Sequence, residues 1–485
     1  MPERREEKSN RFMVLSSTGS VRCRCCCAVR RIFIVLCVLL TLAIPGSLWA
    51  GNSESEPPSA PGIRYTLAES VEQALRANPR VEAAHYALEG AGAEVGIARG
   101  RMLPSLTLSA GRTYINSISA SGQVDVDYID QHQDTLALRA NQTLFAGMEL
   151  LNGHQKAQLN EEMAQAEKGS VEARLILDVQ TFFFDLLKAR GEVSALEDAL
   201  ERLQAGVEAA KAFAGVRLAP YVDVLQAESD LADTRQRLSQ ARIEVANLRV
   251  NLNALLGLPA RSPTHYEGDL RDLSMVLPWT VDQCLARAEQ LRADLKVARK
   301  SLAMAEKQAK MVTGRYWPKI DLQAGYIHQE RDYPDPGRSI TGATIDRDYS
   351  SNYWTAGVNL EWRLFEGTRT HFEYRRASAE IGRLRAALRD TRDQVRAQVE
   401  TSYQSMTEAR ERIDAAESGL ELASETHERA QKRFESRVGT IIELLDAQER
   451  LTRAQINLSQ ARADYQTALA NLLYAMGERN AGLRF

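Results

Sequence analysis

Met102-Leu103-Pro104-Ser105-Leu106-Thr107-Leu108 returns 214 residues later as Tyr316-Trp317-Pro318-Lys319-Ile320-Asp321-Leu322. The proline fixes the register, and the likeness extends over Thr66 to Gly111 against Thr280 to Gly325. Further on, Leu144-Phe145-Ala146-Gly147 matches Leu364-Phe365-Glu366-Gly367, and Ser239-Gln240-Ala241-Arg242 recurs unchanged as Ser459-Gln460-Ala461-Arg462, both at an offset of 220. Self-similarity at a fixed period marks a repeated architectural unit. The chain is written twice, with six extra residues in the second copy around Asp332 to Asn352, a Gly- and Asp-rich loop that absorbs them cheaply.

Each copy reads in one order: short helix, helix, strand, loop, strand, very long helix, turn, helix. The expected bounds are 51–265 for the first repeat, with strands about 103–145 and a helical hairpin about 147–256, and 266–485 for the second, with strands about 317–365 and a hairpin about 367–476. In the first strand Leu106, Leu108 and Ala110 alternate with Ser105, Thr107 and Ser109. Its partner sets Leu136, Leu138, Ala140 and Leu144 against Thr135, Arg139, Asn141 and Thr143. In copy two Ile320, Leu322, Ala324 and Tyr326 oppose Asp321 and Gln323, while Trp354, Ala356, Val358, Leu360, Trp362 and Leu364 oppose Asn359, Glu361 and Arg363. Such alternation gives a sheet one oily and one polar face. Charges on the polar side, aromatics near the ends and lengths close to the ~9 to 11 residues that span a bilayer favour a water-filled membrane barrel over a soluble sheet. Four strands cannot close a barrel, since the smallest have about eight, so the chain must associate. Two copies would leave a plugged lumen, whereas three give twelve strands and an open bore.

The helices carry a second signal. Val224, Leu231, Leu238, Val245 and Leu252 recur every seven residues, with Ala227, Thr234, Ala241, Leu248 and Leu255 in the other core register. Copy two sets Leu444, Leu451, Leu458, Tyr465 and Leu472 against an unbroken stripe of Ala447, Ala454, Ala461, Ala468 and Ala475. The long helix before the first turn carries Leu175, Phe182, Ala189, Leu196, Leu203 and Ala210 beside Val179, Leu186, Val193, Leu200, Val207 and Ala214. Heptads joined by a tight turn make antiparallel coiled-coil hairpins. A helix over 147–214 is about 100 Å long and its return partner over 220–256 about 55 Å, and 79–101 adds about 35 Å when stacked on that partner's end. Such a rod suits a tube across the periplasm.

The N-terminus agrees with export. Arg30-Arg31, the apolar run Ile32 to Ile44, Pro45 and the small-residue end at Ala50 read as a signal peptide over 1–50. The run falls short of the ~20 residues a spanning helix needs. Cys23, Cys25, Cys26, Cys27 and Cys37 leave with it, so the mature chain, starting near Gly51, keeps Cys284 alone and forms no internal disulfide. Removing 1–50 takes eight of 61 basic and three of 64 acidic residues, for a net charge near −8, which argues against nucleic acid as a partner.

Leu67-Ala68, Ala74-Leu75, Asn78-Pro79, Leu103-Pro104-Ser105-Leu106, the paired Leu-Phe-x-Gly strand exits and Ala447-Gln448 leading to Ala475-Met476-Gly477 resemble the TolC-like outer membrane efflux protein family over residues 66 to 477. The resemblance implies an α+β membrane protein in which each chain is an internal duplication. Three chains form a homotrimer whose 12-stranded outer-membrane β-barrel, set in outer-membrane lipid, continues into a long periplasmic coiled-coil barrel of twelve helices. It implies a passive exit duct of a tripartite efflux pump or type I secretion system, whose tip docks on a periplasmic adaptor and an inner-membrane pump. Arg437-Val438-Gly439-Thr440 is similar to the family's adaptor-contact motif, but runs directly into Ile441-Ile442-Glu443 without the arginine that follows there. Copy one has Arg217-Leu218-Ala219-Pro220 at that place. Asp223 and Glu443 stand four residues past Ala219 and Gly439, and Asp446 follows at i+3. A trimer turns these acids into rings at the pore entrance, as in the resembling family; first-turn acids also suit a helix dipole on their own.

No catalytic, cofactor or metal motif competes. The chain has no GxxxxGK[ST], so any energy for transport comes from a partner. Gly90-Ala91-Gly92-Ala93-Glu94-Val95-Gly96 mimics a dinucleotide loop but sits inside a helical pattern. His427-Glu428 opens a zinc-protease pattern that Gln431 breaks. The remaining rival is a secreted structural coiled coil, which accounts for the heptads and the export signal but not for the strands.

Overall fold

The computed structural model describes residues 63–478 apart from 122–124, 219, 271–278, 333–336, 339–343 and 346–347; the side chains of 117–130 and 333–347 are not described. The signal segment with its cysteines, the start near Gly51 and the tip residue Ala219 lie outside the described residues.

Copy one comprises β1 (Arg64–Tyr65), α1 (Leu67–Ala77), α2 (Pro79–Gly100), β2 (Ser105–Ser121), β3 (Asp125–Ala146), α3 (Glu149–Gly215) and α4 (Tyr221–Leu255). Past β4 (His265–Tyr266), copy two repeats the order as α5 (Val281–Leu291), α6 (Ala293–Gly314) and β5 (Lys319–Asp332). It continues through a short pair, β6 (Gly337–Arg338) and β7 (Thr344–Ile345), to β8 (Tyr349–Glu361), α7 (Arg369–Glu435) and α8 (Ile441–Met476). The stretch read as a bare loop thus contains a small antiparallel pairing.

Thr66 and Thr280 open α1 and α5 with capping boxes closed by Glu69 and Gln283, which satisfies amides that a helix start leaves bare. Asn78 then caps α2, with Pro79 preset in φ at the first helical position. Its Nδ2 donates to the Leu255 carbonyl at 2.9 Å, so α2 stacks on the end of α4. In copy two Arg292 does this work: its guanidinium donates to the Tyr474 and Ala475 carbonyls at 3.3 Å each, a cation at the negative end of α8. In each copy two shorter helices in tandem therefore accompany one helix of 67 residues.

The duplication persists in backbone conformation where side chains have diverged. The positive-φ residues among those described form pairs at an offset of 220: Gly147 with Gly367, Met148 with Thr368, Arg217 with Arg437, and Gly257 with Gly477. At Gly147 (φ +57) the chain turns from β3 into α3 against Gly314 at the end of α6, and a Cβ on Gly147 would overlap the Gly314 carbonyl oxygen and lie 2.6 Å from its carbonyl carbon. Around Gly367 and around Gly100, the residues at the matching places in the other copy, nothing lies within 4 Å.

The four long strands form an antiparallel sheet in the order β2-β3-β5-β8. Register places Leu106, Ala140, Ala324 and Ala356 in one cross-strand row and Leu108, Leu138, Tyr326 and Trp354 in the next of the same face. That apolar face is bare: Trp354 is 80% exposed and Leu108 61%. The strands run 17, 22, 14 and 13 residues, longer than the expected 9 to 11. The excess is polar, beginning at the Arg112–Asp134 ion pair (2.5 Å) two residues above Ala110, and pairing continues there because backbone hydrogen bonding does not require apolar side chains. A bulge between Thr143 and Phe145 takes Leu144 out of the alternation and sets Phe145 opposite Ile320. Trp362 and Leu364, read as strand, lie past the end of β8, where no neighbouring strand is present to pair with them.

Laterally the helices follow the strands. α3 packs between α2 with α4 on one side and α6 with α8 on the other, and α7 packs on α6 and α8. Nineteen residues of α3 are buried but only six of α7, although both helices have 67 residues, because α7 has neighbours on one side only. Eight of the expected heptad positions of α4 are buried; Val245 and Leu255 are partly exposed. α8 buries its expected stripe except Ala454 and Ala468, which are partly exposed, and also buries Gln466, Leu469, Ala470 and Leu473, since it touches α3 as well as α7.

The largest core joins Phe183, Phe184 and Leu186 of α3 to Leu67, Val71 and Ala74 of α1 and to Tyr266. Beside it the fully buried Asn253 donates to the Ala260 and Ser262 carbonyls (3.2 Å each) and accepts from Thr264 Oγ1 and Tyr266 Oη (2.6 Å each). Tyr266, which the expected boundary assigns to the second repeat, packs with the first.

Candidate functional site

The hairpin tips are built alike. α3 ends with Arg217 at φ 58, its N–H bonded to the Ala214 carbonyl and that of Leu218 to the Phe213 carbonyl. α7 ends with Arg437 at φ 63, its N–H bonded to the Phe434 carbonyl, while Val438 and Gly439 both donate to Arg433. This is the left-handed helix stop that glycine usually provides, here held by arginine at a cost of about 1–2 kcal/mol. Pro220 precedes α4 without a side-chain cap, whereas Thr440 caps α8 by accepting from the Glu443 N–H at 3.3 Å.

The two turns are fastened to each other. Phe213 and Phe434 meet edge-to-face at 5.4 Å between ring centres, and the Arg437 guanidinium lies 5.9 Å from the Phe213 ring centre. Beneath them Leu203, Val207, Ala210, Val224, Ala227, Ile441, Leu444 and Leu445 share one core. Outside it the tip shows Val216, Leu218, Tyr221, Val222, Val438 and Ile442, all more than half exposed. An apolar patch on a polar rod marks a docking surface. Tyr221, Val222 and Ile442 were not singled out by sequence reading; their signal is large apolar residues in the first turn of a helix, outside the heptad.

The acids are placed less simply. Asp223 is half-buried in the first turn of α4, and no salt bridge involves it among the described residues. Glu443, in the first turn of α8, lies 3.7 Å from Arg433, and Asp446 lies 2.9 Å from Arg450. Both pairs are solvent-exposed and contribute little to stability. Asp446 alone of the three borders a groove between α3, α4 and α8, together with Asp230, Asp233 and Glu449, which sequence reading did not mark.

No metal-binding group of His, Cys, Asp or Glu occurs among the described residues. Cys284 is fully buried, and burial pushes its thiol up, away from the reactive thiolate. His427 is held below its ordinary range by burial and then by Arg202. Gly90 to Gly96 lie within α2.

Comparison with known proteins agrees with this architecture. The outer membrane efflux protein family model matches residues 70–258 and 284–478, one segment per copy. Protein CyaE of Bordetella pertussis is 26% identical over 475 residues, covering 93% of this chain and 95% of the relative. Outer membrane protein TolC of Escherichia coli is 23% identical, covering 85% and 82%. Among solved structures, the outer membrane protein VceC of Vibrio cholerae superposes with a TM-score of 0.71 at 18% identity (85% of this chain, 96% of that one), and the CmeC outer membrane channel of Campylobacter jejuni with 0.72 at 14% (85% of each). With family segments matched in both copies and the fold shared along the chain, this chain belongs to the outer membrane efflux protein family.

Proposed function

We propose that three copies close side by side into a passive duct, twelve strands in the outer membrane above twelve-helix walls in the periplasm, serving efflux or type I secretion. The observation that carries it is the pair of free edges. β2 and β8 have one strand neighbour each, and α2 with α4 on one flank and α7 on the other are open on the same two sides. The copies are related within the chain by the contacts β3 with β5, α3 with α6 and α8, and Gly147 with Gly314. Repeating that relation carries β8 of one chain onto β2 of the next, α7 onto α2 and α4, and Gly367 onto Gly100. A head-to-tail contact of this kind closes into a ring, and Trp362 to Glu366 then gain the strand partner they lack. The bare apolar face meets lipid, as a barrel's outer face must; a secreted coiled coil has no use for it.

The in-chain register predicts the one between chains. Ala140 pairs with Ala324, so Leu360 faces Ala110 of the next copy. Opposed antiparallel residues have Cα atoms about 4.5–5.5 Å apart, within disulfide reach. Leu360→Cys with Ala110→Cys is expected to give a covalent trimer on non-reducing gels, while Leu360→Cys with Leu106→Cys, four residues out of register, gives none. A monomer under oxidation in the first variant refutes the arrangement.

At the periplasmic end the exposed Val216, Leu218, Tyr221, Val222, Val438 and Ile442 form the surface for an adaptor, with Arg217, Pro220, Arg437, Gly439 and Thr440 shaping the turns. An inner-membrane pump supplies the energy. Asp223, Glu443 and Asp446, multiplied by three, favour cations at the entrance. Glu443→Gln with Asp446→Asn is expected to lower cation selectivity in single-channel recordings at unchanged trimer yield. Unaltered selectivity with reduced thermal stability would assign these acids to helix capping.

A further inference from the structure

The groove between α3, α4 and α8 holds about 600 Å³ and lies above the tip. Its floor is apolar, formed by Leu196, Ala199 and Leu203 of α3. Its walls carry Asp230 and Asp233 from α4 and Asp446 and Glu449 from α8. The bases near it are Arg202, which donates to the groove-lining Thr452 Oγ1 at 3.0 Å, Arg237, which borders the groove, and Arg450 and Arg453, which are taken up by Asp446 at 2.9 Å and Glu449 at 2.6 Å. The Asp230 carboxylate accepts from the Gln226 amide at 3.0 Å, and neither Asp230 nor Asp233 has a salt bridge among the described residues. Burial raises the Asp230 carboxyl above its usual range, and Asp233 and Glu449 raise it further.

A second observation is independent of the carboxylates. Gln448 borders the same groove, is 5% exposed, and its Oε1 is buried without a hydrogen-bond donor. An orphaned buried acceptor costs about 1–3 kcal/mol, so a donor brought by a ligand is favoured there. The other copy shows that the architecture does not require these groups: at the offset of 220, Asp230 and Asp233 correspond to Arg450 and Arg453, and Gln448 to Glu228.

We propose that this groove binds an aliphatic primary ammonium: the chain lies on the leucine floor, the ammonium N–H groups donate to Gln448 Oε1 and to the carboxylates of Asp230 and Asp233. A quaternary ammonium has the charge but no N–H, so Gln448 discriminates between the two classes. The site is complete within one chain, and of the entrance acids only Asp446 borders it.

The test is isothermal titration calorimetry of the purified full-length mature protein in detergent at low ionic strength, with n-hexylammonium and hexyltrimethylammonium as probes. The expected result is saturable binding of n-hexylammonium at one site per chain and at least tenfold weaker binding of the quaternary probe. Asp233→Asn, at an exposed side chain, and Gln448→Leu should each weaken n-hexylammonium at least tenfold, with Gln448→Leu keeping or raising the melting temperature. Glu443→Gln should leave this affinity unchanged. Equal affinities for the two probes, unsaturable heats, or wild-type binding by Asp233→Asn would overturn the proposal.

Discussion

Replacing Gly314 with alanine is expected to abolish accumulation of folded protein in the membrane. A Cβ at this position would overlap the Gly147 carbonyl oxygen, and the obstacle is backbone on both sides. Nothing can rotate out of the way. The junction between sheet and helices would have to separate, at a cost on the order of 4–5 kcal/mol, a large part of the stability of an ordinary domain. Gly90→Ala, in the middle of α2 with nothing within 4 Å, should be neutral or stabilising by up to about 1 kcal/mol. Thermal denaturation followed by circular dichroism in detergent separates the two. Comparable melting of Gly314→Ala and wild type would mean that the glycine contact is not formed. Gly100→Ala supplies a further contrast: harmless to the single chain, it is expected to block association, because the proposed ring brings Gly367 of a neighbour against it.

Asn253→Leu is expected to destabilise by about 2 kcal/mol or more, since the buried Thr264 and Tyr266 hydroxyls lose their acceptor and each orphan costs about 1–3 kcal/mol. Leucine is not foreign to this architecture; Leu473 holds the equivalent place in copy two and is buried. The penalty therefore comes from the Thr264 and Tyr266 hydroxyls, not from the volume of the side chain. The same hub predicts an alkaline limit. Burial pushes the Tyr266 hydroxyl up to about 12 from its ordinary value of 10.0. The folded chain keeps this proton more tightly than the unfolded one. Its contribution is full below pH 10 and is lost as pH rises from there toward about 12. Chemical denaturation at several alkaline pH values should show that slope in wild type and a shallower one in Tyr266→Phe.

The parts legible in the sequence are those governed by period. The heptads of α4 and α8 told which residues face a neighbour, and Val224, Leu238, Leu252, Leu444 and Leu472 are buried as expected. Alternation told which face of the sheet is oily. It did not give strand length, because Thr113 and Gln133 pair as well as Leu108 and Leu138 do. Nor did it reveal the bulge at Leu144, a backbone adjustment that leaves no mark on side-chain type. A heptad describes one neighbour at a time, so the second stripe of α8, Gln466, Leu469 and Leu473, went unseen until α3 was packed against it. The αL stops at Arg217 and Arg437 were hidden because the residue expected there is glycine. Of the groove acids, Asp446 was found from its distance to a turn, whereas Asp230, Asp233 and Glu449 come together only when two helices distant in sequence are laid side by side.

The unequal burial of the two longest helices bears on how the chain is made. α3 finds its neighbours within its own chain, but α7 leaves Phe372, Tyr374 and Leu422 in solvent, where the proposed ring would set a neighbouring copy. An unassociated chain therefore carries about 100 Å of helix with few buried side chains, the kind of segment in which local opening concentrates. In the proposed ring the face that joins the copies is therefore also the face that protects α7, so limited proteolysis is expected to begin in α7 only while the ring is incomplete.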